Sequence, residues 1–244
     1  MRMMTFARRN IRELTRDPLT LFFGALFPLI LLFLLSAIQA NIPVQMFAIN
    51  ALAPGIAVFG QSFLTLFAAF LISRDRTTAL TQRLMASPMR GGDFILGYAL
   101  PLLPLALAQA LLCLLCGGAM GMNLAHLPLA LAVLLVSAVF YIALGLMFGS
   151  ILNDKQVGGI CGALLTNLSA WLSGVWFDVK LVGGAFWKIA NVLPFIHAVE
   201  AARAAVAGNP AALPGHLAVV AAWAAAMLAL AIPLFVRTMR GKKR

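Results

Sequence analysis

What this chain has least of is charge, and acidic charge above all: seven Asp and Glu stand against eighteen Lys and Arg in 244 residues. Only 10% of the residues are charged and 63% are hydrophobic, whereas a soluble domain carries about 25% charged residues. A soluble globular protein is thereby excluded. The long apolar runs hold no Asp, Glu, Lys or Arg. That argues against proton- or sodium-coupled transport, which usually needs a buried carboxylate or similar relay. No G-x-x-x-x-G-K-[ST] phosphate loop occurs, and Gly241-Lys242 lacks the upstream glycine, so ATP hydrolysis by this chain is not expected. Cysteine is scarce too. Cys113 and Cys116 form a C-x-x-C inside an apolar run and Cys161 lies among small residues, so all three read as packing residues. Internal repeats are not evident, which weakens an inverted-repeat transporter reading.

What is present is apolar length. A bilayer core about 30 Å thick needs roughly 20 apolar residues per helix, and six stretches qualify, at about 19–38, 51–72, 94–120, 128–152, 157–176 and 217–236. The expected fold is an all-α integral membrane protein of six transmembrane helices. No cleavable signal peptide is expected, because the first run is long enough to span and no clear small-residue cleavage site follows it.

Charge orients the bundle. Basic residues in short loops mark the cytoplasmic side, and fifteen of the eighteen fall in the N-terminal segment, the loops after spans two and four, and the tail. Lys180, Lys188 and Arg203 are left for the other side. Both termini are therefore expected in the cytoplasm, and the net charge of +11 is mostly a topology signal. The charges are split among four membrane-proximal segments, which disfavours a nucleic-acid partner.

Residues 1–18 read as an amphipathic helix lying on membrane lipid, with Met4, Ala7, Ile11 and Leu14 on one face and Arg8, Arg12 and Arg16 on another. It serves either as a simple anchor or in a further role. Pro18 ends or bends it. The polar island between spans two and three, SRDRTTALTQRLMASPMRGGDF from Ser73 to Phe94, is helix-compatible over 75–87, a rod of roughly 20 Å. Asp75, Arg76, Gln82 and Arg83 gather on one side and Leu84 on the other; Pro88 closes the helix after Ser87. Asp93 is the expected cap of the third span. The bland alternative is an ordinary solvated loop. Between spans five and six, residues 177–215 carry Lys188, Pro194, His197, Glu200 and Arg203, which forbid a comfortable crossing. They predict a re-entrant or interfacial helical pair split near Pro194 and capping the outer mouth. Gly117/Gly121, Gly145/Gly149 and Gly158/Gly162 are spaced for close helix contact, within one subunit by default.

Polar residues inside the spans are few. Gln61, Ser62 and Thr65 fall near one face of span two; Thr166, Ser169 and Ser173 recur on span five, with Asn167 beside them. They line a path or hydrogen-bond neighbouring helices. A rhomboid-like serine protease needs G-x-S-G where this chain has Trp171-Leu172-Ser173-Gly174, and His216 does not rescue it. His197 and Glu200, at i and i+3, are two ligands without a third, so no metal site is expected and a helix-stabilising pair is the simpler reading.

The chain resembles the permease subunits of type-2 ABC exporters over nearly its whole length. That family's loop reads E-R-E-x-G-T-x-E-x-L-x-x-S/T-P, to which Asp75-Arg76 and then Gln82-Arg83-Leu84-Met85-Ala86-Ser87-Pro88 are similar. Leu193-Pro194, His197-Ala198 and Glu200-Ala201 resemble its L-P-x-x-H-A-x-E-A stretch before the last span. Thr77, Ala79 and Gln82 depart from the family's acidic and glycine positions, leaving this loop less acidic. The resemblance implies a coupling helix over 75–87, in which Asp75, Arg76, Gln82, Arg83, Leu84, Ser87 and Pro88 meet an ATPase. It implies two cytoplasmic ABC ATPase subunits holding ATP and Mg, and a second permease copy, a homodimer before a heterodimer. It further implies a bacterial inner-membrane location. Gln61, Ser62, Thr65, Thr166, Asn167, Ser169 and Ser173 would line the path, and Pro194, His197 and Glu200 would form an outer gate. A sparsely polar path suits a lipid, drug-like or otherwise amphipathic substrate. A secondary transporter and an intramembrane enzyme are the remaining classes.

Overall fold

The computed structural model describes residues 2–42, 45–76 and 91–241, and every regular element among them is helical. Helix α1 (Arg2–Arg16) leads into the bundle. Its predicted apolar face is divided: Ala7 and Leu14 are buried together with Phe6 and Asn10, whereas Met4 and Ile11 stay 56% and 40% exposed. The cause is Phe6. Its ring meets Phe94 and Tyr98 edge-on, at centroid distances of 6.3 and 4.8 Å, and this turns positions 6, 7, 10 and 14 inward. The chain then turns at Asp17, whose carboxylate accepts from the Thr20 backbone N–H at 3.3 Å and its hydroxyl at 2.6 Å. Pro18 opens the next helix, where its missing N–H leaves nothing unsatisfied.

Four long helices follow: α2 (Pro18–Asn41), α3 (Ile49–Asp75), α4 (Gly91–Ala119) and α5 (Leu127–Gly149). α4 is broken at residues 100–101, where Pro101 opens its second piece. Asp93, the predicted cap, lies inside the first turn, since α4 already begins at Gly91; an acid there still complements the helix dipole. Next comes α6 (154–172), one continuous rod that includes a π-helical stretch over Gly158–Leu165. Three shorter helices, α7 (Val179–Val182), α8 (Gly184–Val192) and α9 (Pro194–Val206), precede the final α10 (Leu213–Gly241).

By length and apolarity α2, α3, α4, α5 and the segment Pro210–Met239 can cross a membrane. The run 157–176, predicted to span, is helical as α6 but is not among these five. Its helix begins with the polar residues Asp154, Lys155 and Gln156 and carries Thr166, Asn167 and Ser169 in its second half, which lowers its apolarity. The pair α8–α9, bent by 72° at Leu193, makes a sixth candidate if it counts as one broken span. The protein is thus an all-α integral membrane protein with five to six candidate spans.

α3 occupies the centre: 89% of its most apolar window is buried, against 22% for α2 and 28% for the last span. It packs on α5, α4, α9 and α2. Its closest approach is to α5. A Cβ on Gly145 would collide with the Thr65 carbonyl oxygen, and one on Gly149 would come within 2.7 Å of the Ala69 Cα. Lipid tails are as apolar as leucine, so helices in a bilayer associate through such close contact and interhelical hydrogen bonds. Of the other predicted pairs, Gly117 packs on Ala53, Gly121 is a turn residue at φ +99°, and an added Cβ on Gly158 meets nothing within 4 Å.

Gly145→Val should therefore lower the melting temperature of the detergent-purified protein, overpacking of this kind costing about 1–3 kcal/mol. Gly158→Ala should leave stability within about 0.5 kcal/mol. Equal melting temperatures for the two variants would contradict the close crossing.

Candidate functional site

Polar side chains gather at three levels of α3. The first is its C-terminal end. α3 runs unbroken through Asp75, so this residue closes the second long helix instead of opening a separate one. Asp75 is only 2% exposed. Arg9 of α1 grips its carboxylate with both terminal nitrogens, Nη2 lying 2.8 Å from Oδ1, and the Tyr98 hydroxyl of α4 donates to Oδ2 at 3.1 Å. The pair raises the pKa of the Arg9 guanidinium, chiefly through this hydrogen bond and against its partial burial. Arg9 also reaches Glu13 at 2.9 Å, and Asn10 donates to the Gly97 carbonyl at 3.1 Å. α1, α3 and α4 are thereby tied at one buried carboxylate. Arg76 turns the other way and donates to the carbonyls of Gly149 at 2.7 Å and Leu152 at 3.2 Å, where α5 ends. Burial lowers its pKa, with Asp154 opposing. The remaining predicted coupling residues, Gln82, Arg83, Leu84, Ser87 and Pro88, lie outside the described residues.

The second level is the middle of the bundle. Gln61 donates to the Leu134 carbonyl at 2.9 Å and Thr65 to the Tyr141 carbonyl at 3.0 Å, both from α3 to α5. Tyr141 in turn shares a 2.6 Å hydrogen bond with Ser169 of α6. Thr166 donates to the Cys161 carbonyl within α6, and Ser173, the residue that caps α6, donates to the Ala170 carbonyl, each at 3.2 Å. All six are buried, as is Ser62, whose hydroxyl has no hydrogen-bond partner among the described residues. Gln109, on α4, donates to the Ala57 carbonyl at 3.3 Å. Asn167 is the exception: it is exposed, with Leu164 and Trp171 beside it, and donates to the Ala163 carbonyl one turn back. Within one subunit, six of the seven predicted path residues are therefore packed inside the bundle, and Asn167 alone faces outward.

The third level is the N-terminal end of α3. An open cleft of about 810 Å³ lies there, lined in part by Phe47, Trp176, Phe177 and Trp187, with Lys180, His197, Glu200, Arg203 and His216. Arg203 bridges its walls. Its guanidinium donates to the Ala51 carbonyl of α3 at 3.2 Å and the Gly174 carbonyl after α6 at 3.1 Å, and pairs with Glu200 at 3.0 Å. His197 meets His216 of α10, Nδ1 to Nδ1, at 2.8 Å, and its Nε2 meets the Asn191 carbonyl at 2.9 Å. Pro194 is buried at the first position of α9, just after the bend. The predicted outer residues thus come together, but Glu200 pairs with Arg203 and His197 with His216. Sequence reasoning missed Arg9, Tyr98 and Arg203 as partners. The only signal for Arg203 was a charge in an apolar stretch, and none marked the other two.

Replacing Asp75 by Asn and Arg9 by Met, singly and together, should show coupling of about 1–2 kcal/mol in a double-mutant cycle on unfolding. Additive losses would mean that the ion pair contributes nothing beyond its separate side chains.

A scan of family models matches the ABC-2 type transporter family over residues 1–207. No curated protein matches the chain at a significant level. The match covers most of the chain and agrees with the helical membrane bundle: this protein belongs to the ABC-2 type transporter family.

Proposed function

We propose that this chain is the membrane permease of an ATP-driven exporter, working as one of two permease copies with two cytoplasmic ABC ATPase subunits. Its family makes it the membrane component of an ABC transporter, which works with an ABC ATPase. Export, the two-fold assembly and the amphipathic substrate are the finer reading. One observation carries it: the chain entering the predicted coupling segment is anchored on both sides. Asp75 is held by Arg9 and Tyr98, and Arg76 by the carbonyls at the end of α5. A push on the residues that follow would therefore reach α1, α3, α4 and α5 together, without slack in a flexible hinge.

In this reading the α1 end of the bundle faces the cytoplasm of a bacterial inner membrane, as the basic residues favour. ATP and Mg bind in the partner ATPase. The bent pair α8–α9 lies at the outer mouth as a re-entrant hairpin, and substrate passes between two copies of the chain. The outward-facing Asn167 on α6 supports a path at that boundary, because the other six polar residues are buried inside the subunit. A sparsely polar boundary suits a lipid or drug-like molecule. Dimer pairing, homomeric or heteromeric, sets what faces Asn167.

An ATPase should co-purify with the full-length permease, and ATP-driven transport in proteoliposomes should depend on it. Arg83→Glu, reversing charge in the segment, should cut coupled transport about tenfold or more, a tenfold loss being about 1.4 kcal/mol. Absence of a co-purifying ATPase together with undiminished transport by the variant would refute the coupling.

A further inference from the structure

We propose that His197 and His216 form a proton-operated latch that holds the bent pair α8–α9 against α10 and releases it in acid. The geometry is specific about protons. The Nε2–H of His197 donates to the Asn191 carbonyl at 2.9 Å, so its Nδ1 carries a lone pair. The 2.8 Å contact between the two Nδ1 atoms then requires His216 to be the donor. A single added proton on the pair leaves one donor facing one acceptor, so that bond stays intact and is now charge-assisted. A second can bind only at the Nδ1 that still accepts, where it meets the N–H already there. Two donors and two positive charges then face each other across 2.8 Å, and the rings must part.

The rings belong to different elements, so their parting removes a direct tie between α9 and α10. A second clasp lies beside the first: the Trp223 indole N–H of α10 donates to the Val192 carbonyl at 3.1 Å, one residue beyond Asn191. The surroundings offer little else that titrates. On α9, Glu200 is paired with Arg203. The cleft adds Asp178 and Lys180, and α8 adds Lys188. α3 has no ionisable side chain before Arg74, and α10 has none besides His216 before Arg237. α5 brings Tyr141, bound to Ser169, and is preceded by His126, which sits over Gly208. Two imidazoles bonded to each other are thus the pair of histidines that ties α9 directly to α10, and imidazole is the side chain that gains charge between neutral and mildly acidic pH. The first charge opposes the second, so release requires both protons.

The gating consequence rests on the reading that α8–α9 closes the outer mouth; the latch itself does not. The test uses the full-length protein in lipid nanodiscs, with hydrogen exchange of amides 184–206 followed from pH 8 to about 4.5 and corrected for intrinsic rates. Protection in the wild type should fall about tenfold at the acidic end. His216→Asn retains a donor but takes no proton, and should give a flat profile, as should His197→Gln. A flat wild-type profile, or an unchanged acid response in both variants, overturns the latch. Transport measured in parallel separates the two claims: acid release that leaves transport unchanged supports the latch and counts against the outer-gate reading.

Discussion

The crossing of α3 and α5 governs the rest of the molecule. Gly145 and Gly149 let the backbone of α3 come down onto α5 at Thr65 and Ala69. At that distance Gln61 and Thr65 reach carbonyls of α5 directly. A membrane interior supplies no hydrophobic force between helices, so this combination of tight contact and interhelical hydrogen bonds is what binds them. With α5, α4, α9 and α2 packed around it, α3 becomes a buried rod of about 40 Å.

A buried rod concentrates function at its ends. Charged groups cannot lie along its middle without partners, and they gather where it emerges. Asp75 at one end joins α1 and α4 through Arg9 and Tyr98, and the Ala51 carbonyl at the other receives Arg203 from α9. Each end is therefore tied to a peripheral element that is not itself one of the five long spans.

Much of this was legible in the residues. The long apolar runs show themselves by length alone, and the lysines, arginine and prolines of 177–215 mark the region that holds the 72° bend between α8 and α9. Pro194 predicted a break that falls at Leu193. Less could be read about faces. A period of three and four places Met4 with Ala7, Ile11 and Leu14, but the docking of Phe6 on Tyr98 turns half of that stripe outward. The polar stripe of span two is real, yet it faces α5, because only the glycines of a distant segment determine which side α5 approaches.

The sequence by itself determined the class of the protein, its apolar segments and the position of its polar island, since each depends on local composition measured against a bilayer. Tertiary structure alone decided the partners. That Asp75 would be buried by Arg9, sixty-six residues away, and that His197 would meet His216 depends on how whole helices pack. Two side chains distant in sequence carry no local mark of their contact; a shared low-dielectric junction makes it, and that junction exists only once the bundle has assembled.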